Sequence, residues 1–156
     1  MKISISAIGR LRNSPEKELI DDYLSRFSKL SKPFGLSLNS ITEIEDKKGG
    51  GPMSEAKLLM KSFQRNSKII ALDERGIVLS STEFTKYLSG WAADGARYCH
   101  LVIGGADGLD KGLLDKADLK ISFGKMVWPH MLARVMIAEQ LYRSATILAG
   151  SPYHKE

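Results

Sequence analysis

The chain of 156 residues has very little cysteine: Cys99 is the single thiol. One thiol excludes a disulfide within the chain and a cysteine-rich zinc or iron–sulfur site, and it is typical of a reducing compartment. No apolar run approaches the roughly 20 residues that span a bilayer, and no apolar leader with a cleavage site follows Met1. We therefore expect a cytoplasmic protein with no metal and no membrane association.

Acidic residues are the minority among the charged ones, with 18 Asp and Glu against 23 Lys and Arg, and the formal net charge is +5. This balance favours a polyanionic partner such as RNA, because each neutralised phosphate releases counterions. The excess is modest, so it gives only weak support for RNA binding. The length and the 43% hydrophobic content predict one compact domain over residues 1–156.

The apolar residues alternate between strand and helix periods along the whole chain. Strand patterns cover residues 2–8, 34–44, 68–73, 98–103 and 119–123, while the glycine-rich stretch 45–52 is predicted to be a loop. Helix patterns begin near Pro15, Ser54, Ser80, Asp110 and Pro129, and the helix near Asp110 is expected to run through Ala117. This order predicts an α/β fold with a mostly parallel sheet and helices on both faces.

In parallel α/β sheets, ligands bind beyond the carboxyl ends of the strands. Three connections follow predicted strands there: the turn after Leu72, the glycine turn at Gly104 and Gly105, and the segment Gly124–Pro129. Glycines let a backbone approach a ligand closely, although a tight turn without a ligand fits the glycine turn about as well. A dinucleotide loop is a poor match because these glycines are adjacent and occur late in the chain.

The last helix and the tail carry polar side chains among apolar ones. A solvated helix face is the usual explanation for Arg134, Glu139 and Arg143, and Glu139 and Arg143 have the spacing of an ion pair one turn apart. The tail offers a phenol, an imidazole and an ammonium in succession at residues 153–155, although most tails are merely frayed. The residues alone therefore predict an α/β ligand-binding protein with a basic surface.

Several segments taken together resemble the ribosomal RNA large subunit methyltransferase H family, which has the SPOUT fold. They are Ala71-Leu72-Asp73, Ile103-Gly104-Gly105-Ala106-Asp107-Gly108, Pro129-His130, Arg134-Val135, Ala138-Glu139-Gln140-Leu141-Tyr142-Arg143 and Ser151-Pro152-Tyr153-His154-Lys155-Glu156. Their order and the chain length agree with the family, so the resemblance covers essentially the whole chain.

The resemblance implies a SPOUT-type fold with a C-terminal trefoil knot, and a homodimer with the knotted region and the last helix at its interface. It also implies S-adenosylmethionine (SAM) as the cofactor and methylation of N3 of a pseudouridine in helix 69 of 23S rRNA. The substrate would be that rRNA within the 50S subunit or the 70S ribosome.

By the same resemblance, the residues expected to hold SAM are Leu72, Gly104, Gly105, Gly124, Lys125, Met126, Val127, Trp128 and Pro129. The expected catalytic residues are His154, Tyr153 and Arg143. His154 is the candidate to accept the N3 proton, since an unperturbed histidine titrates near neutrality. Tyr153 would stack on or hydrogen-bond the base, and Arg143 and Arg134 would steady the RNA.

Further cations and histidines receive simpler assignments. The candidate phosphate contacts are Arg10, Arg12, Lys47 and Lys48, and a solvated surface charge is as good an explanation for each. His100 lies within a predicted strand and is expected to be structural, and His130 marks the first turn of the last helix.

Two other classes of function stay open on the residues alone. One is an α/β enzyme with a different nucleotide cofactor, which binding of NAD in place of SAM would reveal. The other is a non-catalytic RNA-binding or ribosome-associated protein, which the basic charge alone permits and which would transfer no methyl group.

Overall fold

The computed structural model describes residues 1–45 and 49–154. Over these residues the chain forms five strands, five α-helices and a short 3₁₀ helix at Lys32–Phe34. The strands are β1 (Lys2–Ile8), β2 (Ser37–Ile44), β3 (Lys68–Val78), β4 (Tyr98–Ile103) and β5 (Leu119–Ser122). The helices are α1 (Pro15–Leu30), α2 (Gly51–Met60), α3 (Ser81–Ala93), α4 (Lys111–Leu114) and α5 (His130–Leu148).

The strands form one sheet in the order β2-β1-β4-β3-β5. Every pair of neighbouring strands in this sheet is parallel, so the carboxyl ends of all five strands lie along one edge. The prediction of an α/β fold with a mostly parallel sheet is confirmed. Ligand sites in such sheets are expected at this carboxyl edge.

Helices cover both faces of the sheet, as predicted. Helices α1, α3 and α5 pack in the larger apolar core, where Ile5 and Leu101 of the sheet meet Phe27, Leu88 and Ile137. Helices α2 and α4 cover the opposite face in a smaller cluster of Ile8, Ala56, Leu59, Val102 and Leu113. Burial on both faces explains why β3 and β4 contain apolar runs, whereas β1 alternates and buries its small Ser4 and Ser6 on the α2 side.

Local cap signals correctly locate the starts of two helices. The Ser14 hydroxyl accepts a 3.3 Å hydrogen bond from the backbone N–H of Lys17 at the start of α1. At α3, Ser80 and Glu83 form a reciprocal capping box, with side chain to backbone distances of 3.2 and 2.7 Å. Each pair satisfies backbone donors that have no partner within the helix.

The predicted bounds of β2 and α2 are wrong by a few residues. Strand β2 begins at Ser37, because the chain first makes the 3₁₀ turn and then passes through Gly35 at a φ of 71°. Helix α2 begins at Gly51 and ends at Met60, since Pro52 suits the first turn of a helix. It therefore includes the last two residues of the predicted glycine-rich loop, of which residues 46–48 lie outside the described residues.

Strand β3 is longer than predicted and α4 is shorter. The pairing of β3 with β5 is interrupted after Leu72 and resumes at Ile77 with a shifted register, so that Ile77 also lies opposite Ile121. Gly76 permits this return, because a Cβ there would come within 2.6 Å of the Ile121 backbone. Helix α4 ends at Leu114 rather than Ala117, and its cap Asp110 is as predicted.

Within residues 1–45 and 49–154, no helix is long and apolar enough to cross a membrane. The trefoil knot implied by the resemblance stays a prediction.

Candidate functional site

A cavity of about 740 Å³ opens at the carboxyl ends of β3, β4 and β5. Its wall includes Leu72 and Asp73 of β3, Ile103 at the end of β4 and Ser122 at the end of β5. The first turn of α5 closes one side with His130 and Ala133. Its position is the one that parallel-sheet topology favours for a ligand, and its volume lies in the range of small-molecule sites.

The glycine turn after β4 forms the floor of this cavity. The backbone folds back on itself in a bridge between Gly105 and Gly108, where the Gly108 N–H donates to the Gly105 carbonyl at 3.1 Å. A Cβ on Gly104 would lie 2.6 Å from the carbonyl carbon of Gly108. Glycine is therefore required at position 104 by the close approach of two backbone segments.

The connection after β5 forms the opposite wall. Gly124 adopts a φ of 106°, and the Ser122 hydroxyl fixes the turn by accepting from the Gly124 N–H at 3.2 Å. Beyond it the apolar side chains of Met126 and Val127 are 73% and 87% exposed, and Trp128 is also exposed. Burial of Trp128 in the core, one of the two interpretations of this segment, is therefore wrong.

The structure brings together seven of the nine residues expected to hold SAM. The cavity is lined by Leu72, Gly104, Gly105, Gly124, Met126, Val127 and Trp128. The other two lie beside it: Lys125 is an exposed residue of the same connection, and Pro129 is the N-cap residue of α5.

The chemistry of the lining fits SAM. Asp73, Glu74 and Asp107 offer negative charge to a sulfonium and an ammonium group, and Arg75 and Lys111 in the same wall offer positive charge to the carboxylate of SAM. Met126 and Trp128 offer apolar surface to an adenine ring. A pyrophosphate-containing cofactor fits less well, because it needs the N-terminus of a helix directly after the glycine turn. Here the next helix, α4, has only four residues and begins at Lys111.

The three predicted catalytic residues form a second group around Glu139. One carboxylate oxygen of Glu139, Oε1, accepts from Nη2 and Nε of Arg143 at 2.6 and 2.9 Å, and from the Tyr153 hydroxyl at 3.1 Å. The Arg143 guanidinium lies 4.9 Å from the centre of the Tyr153 ring, and its Nη1 lies 3.5 Å from Nδ1 of His154. The tail thus folds back onto α5, and we call these four residues the tail cluster.

Charge in the tail cluster is largely compensated internally. The hydrogen bond to Glu139 raises the pKa of Arg143. Burial, followed by the hydrogen bond to Glu139, raises the pKa of the Tyr153 phenol well above its usual range. The phenol therefore stays protonated and can act as a hydrogen-bond donor, while the guanidinium stays charged at all working pH values.

The tail cluster and the cavity are separate regions of one chain. None of the four residues of the tail cluster is among those that line the cavity. On α5 the nearest cavity residue is Ala133, and Glu139 and Arg143 follow it by six and ten residues. At ~1.5 Å per helical residue these are rises of about 9 and 15 Å.

Arg134 is an interior residue rather than an RNA contact. Its side chain is 4% exposed, and Nη2 donates to the backbone carbonyls of Ile8 and Gly9, the latter at 3.0 Å. Nη1 lies 3.2 Å from a carboxylate oxygen of Glu43. Arg134 thus ties α5 to the carboxyl ends of β1 and β2, and burial lowers its pKa.

His100 is structural, as predicted. Its ring is buried on the α2 side of the sheet, stacks 4.5 Å from Phe63, and its Nε2 lies 2.8 Å from the amide oxygen of Gln64. Burial lowers the pKa of His100 to about 4. The imidazole is therefore neutral at physiological pH.

The remaining predicted cations differ in their surroundings. Arg10 lies 3.7 Å from Glu45 in an exposed ion pair, and Arg12 is exposed. Lys47 and Lys48 lie outside the described residues, as does Lys155 of the tail. Among the residues that the structure describes, no group of three His, Cys, Asp or Glu side chains is placed to hold a metal ion.

Sequence reasoning missed two features of the site. Glu74 and Arg75 line the cavity because β3 continues beyond Asp73, and no local pattern indicates that continuation. The contact between Glu139 and Tyr153 was also missed, although the Glu139–Arg143 spacing had indicated the ion pair that the structure confirms. The path of the tail after Gly150 depends on tertiary contacts that periodicity does not reveal.

Comparison with known families gives a match over almost the whole chain. Residues 1–154 match the family model described as "Predicted SPOUT methyltransferase". The chain is 55% identical over 156 residues to a protein of Paracoccus denitrificans named ribosomal RNA large subunit methyltransferase H, and the match covers 100% of both chains. A protein of the same name from Ruegeria pomeroyi is 56% identical over 155 residues, with 99% of each chain covered.

Among solved structures, the chain resembles a probable methylase family protein from Haemophilus influenzae. The TM-score is 0.51 at 13% sequence identity, and the match covers 99% of this chain and 70% of the other. This likeness concerns the fold alone, and it agrees with the parallel α/β architecture described above.

Proposed function

The chain belongs to the SPOUT methyltransferase family, and we propose that it transfers a methyl group from SAM to N3 of a pseudouridine in helix 69 of 23S rRNA. The observation that carries this proposal is the full-length identity of 55% to proteins named for methylation of large-subunit ribosomal RNA. The cavity at the carboxyl edge of the sheet supports it independently, because its lining suits SAM.

SAM supplies a methyl group that a sulfonium already activates, so the enzyme chiefly has to align donor and acceptor. We propose that Leu72, Gly104, Gly105 and Gly124 hold the cofactor through their backbones, since three of these four residues have no side chain to separate the backbone from a ligand. The connection of residues 125–129 would enclose the adenine.

The acceptor base would be held by the tail cluster. Tyr153 offers a ring for stacking and Arg143 offers positive charge, and both are fixed in position by Glu139. His154 lies against Arg143 and completes the group. These three residues are our candidates for contact with the base.

Arg143 lies about 15 Å along α5 from Ala133, the nearest cavity residue of that helix, and this separation supports a homodimer in which each chain completes the site of the other. A run of exposed apolar side chains supports the same arrangement: Met126 and Val127 precede α5, and Met131 and Leu132 lie in its first turn. A contiguous apolar surface of this kind is typical of an interface. Helix α5 would lie in that interface.

The RNA partner is supported by the net charge of +5 and by the names of the relatives. A site of this size contacts few nucleotides. Recognition of the shape of the ribosome must therefore contribute much of the specificity for one nucleotide. We therefore expect the 50S subunit or the 70S ribosome as the substrate, and we infer that the protein acts in the cytoplasm.

The test is transfer of radiolabelled methyl from SAM to ribosomes from a strain that lacks this enzyme, followed by nucleoside analysis. We expect label in 3-methylpseudouridine when 70S ribosomes or 50S subunits are supplied. Ribosomes that carry uridine in place of pseudouridine in helix 69 are the matched control substrate. Bound SAM without label on ribosomes, subunits or free rRNA would contradict the proposed substrate.

A further inference from the structure

The contact between Arg143 and His154 determines which nitrogen of the imidazole carries the proton. Nη1 of Arg143 lies 3.5 Å from Nδ1 of His154. A guanidinium has five N–H donors and no acceptor, so Nδ1 must turn its lone pair toward it. A neutral imidazole holds one N–H, which then resides on Nε2.

Arg143 keeps this position because its other donors are engaged. Nη2 and Nε both bind Oε1 of Glu139, and the Tyr153 ring covers the guanidinium at 4.9 Å. Since Glu139 also holds the Tyr153 hydroxyl, one carboxylate fixes both neighbours of His154. Nη1 is left to face the imidazole.

Nε2 of His154 is the part of the tail cluster that lacks a partner. It is shielded from solvent and has no hydrogen-bond partner among the residues that the structure describes. A shielded N–H without an acceptor is unfavourable in the folded chain, and a ligand oxygen would satisfy it once the atoms that cover Nε2 are displaced by the ligand. The unmet requirement is therefore for an acceptor and not for a donor.

We propose that His154 donates its Nε2–H to a carbonyl oxygen of the acceptor base, and that it does not remove the N3 proton. This inference rests on the proposed function. N3 of a uracil-type base lies between two carbonyl groups, and loss of its proton spreads negative charge onto their oxygens. A donor placed there stabilises the developing anion, as oxyanion-hole donors do.

The proton balance of the reaction then differs from that of a histidine base. The N3–H proton passes to water, the N3–C bond forms, and the sulfonium C–S bond breaks with its electron pair staying on sulfur. His154 begins and ends the reaction with its proton on Nε2, and Arg143 and Glu139 act as positioning residues that maintain this tautomer.

The tautomer can be measured without any methyl transfer. The chain has three histidines, so a ¹⁵N-histidine spectrum of the full-length protein contains few signals, and His100→Gln and His130→Gln variants assign them. We expect the neutral His154 to carry its proton on Nε2, and we expect Glu139→Gln to introduce the Nδ1–H form. A wild-type His154 protonated on Nδ1 would overturn the inference.

Amide substitutions test the role in turnover. The amide nitrogen of glutamine reaches the position of Nε2 and donates without being basic, while that of asparagine reaches only the position of Nδ1. We expect His154→Gln to keep kcat on ribosomes within about 10-fold of wild type, and His154→Asn and His154→Ala to lose about 100-fold, the effect of removing one such donor.

The outcomes separate this inference from the proposed function. An active wild type whose His154→Gln variant is as slow as His154→Ala overturns the donor role and leaves the methyltransferase assignment intact. A wild type that labels no RNA overturns both. Unchanged binding of SAM in the three variants is expected, because His154 is not among the residues that line the cavity.

Discussion

The hydroxyl of Tyr153 donates to Oε1 of Glu139 at 3.1 Å, across a separation of fourteen residues. The same oxygen accepts both donors of the Arg143 ion pair, so this carboxylate joins the end of the chain to α5. The C-terminal residues are therefore part of a fixed arrangement at least as far as His154.

Tyr153→Phe removes this hydrogen bond and keeps the ring. We expect a loss of about 1 kcal/mol or less in the free energy of unfolding, because the side chain is partly exposed. Turnover on ribosomes should fall, while the affinity for SAM stays unchanged. Calorimetric titration measures the affinity for SAM, and initial rates on ribosomes measure turnover. Tyr87→Phe on α3 is the control. A matching fall in SAM affinity would contradict the separation of the tail cluster from the cavity.

Arg134→Met should destabilise the protein strongly. The substitution leaves the carbonyls of Ile8 and Gly9 without this donor and removes the partner of Glu43. Because Glu43 keeps some exposure, we expect a loss of about 2–3 kcal/mol in urea unfolding rather than the larger values of fully buried pairs. Arg65→Met, at an exposed loop position, should change stability by about 0.5 kcal/mol or less. Equal effects of the two substitutions would show that Arg134 is not structural.

Acid should destabilise the fold partly through His100. Its pKa is lowered in the folded state to about 4, whereas an unfolded histidine titrates near ~6.5. The unfolded state therefore binds more protons between these values, and the stability contributed by neutral His100 is complete above about pH 6.5 and is lost as the pH falls toward 4. The total is up to about 3 kcal/mol.

The check is urea unfolding of wild type and His100→Gln between pH 7 and pH 5. Both proteins lose stability as carboxylates protonate. The difference between the two slopes of unfolding free energy against pH therefore gives the contribution of His100. We expect a shallower pH dependence in His100→Gln. Parallel curves would mean that His100 is not buried in the neutral form.

Gly104→Ala should weaken SAM binding. The added Cβ would lie 2.6 Å from the Gly108 backbone, so the glycine turn that forms the cavity floor has to move. We expect the Kd for SAM to rise about 10-fold or more, which corresponds to ~1.4 kcal/mol. Gly90→Ala within α3 is the matched control, since nothing lies within 4 Å of its Cβ position. Undiminished affinity in Gly104→Ala would argue against this cavity as the SAM site.

The features that the sequence predicted well are those with local causes. Ser14 and the Ser80–Glu83 pair locate helix starts through contacts within three residues, and the alternation of Ile3, Ile5 and Ala7 places β1 in the core. The cavity was located by a general rule for parallel sheets applied to the strand ends. None of these inferences needs the path of the rest of the chain.

The features that were missed depend on contacts between distant segments. The polar residues 73–75 continue β3 only because Gly76 lets the strand return to β5 at Ile121. The tail meets Glu139 only because the chain reverses after α5, where Gly150 adopts a φ of 61°. Arg134 looked like a surface cation because its helix position does not reveal that Glu43 and the end of β1 lie beside it.

The central proposal is that the cavity of one chain and the tail cluster of another form a single methyltransferase site. It is tested by co-expressing a Gly104→Ala chain with an Arg143→Ala chain, each carrying a different affinity tag, and purifying the mixed dimer through both tags. The two parent homodimers serve as controls, and at SAM concentrations below the wild-type Kd both are expected to be about 10-fold or more slower than wild type on ribosomes.

The measurement is methyl transfer from radiolabelled SAM to ribosomes by the mixed dimer. In the shared arrangement one of its two sites has an intact cavity and an intact tail cluster, so we expect about half the wild-type rate per dimer. If each chain instead built its own site, neither site of the mixed dimer would be intact. A mixed dimer as slow as its parents would contradict the account.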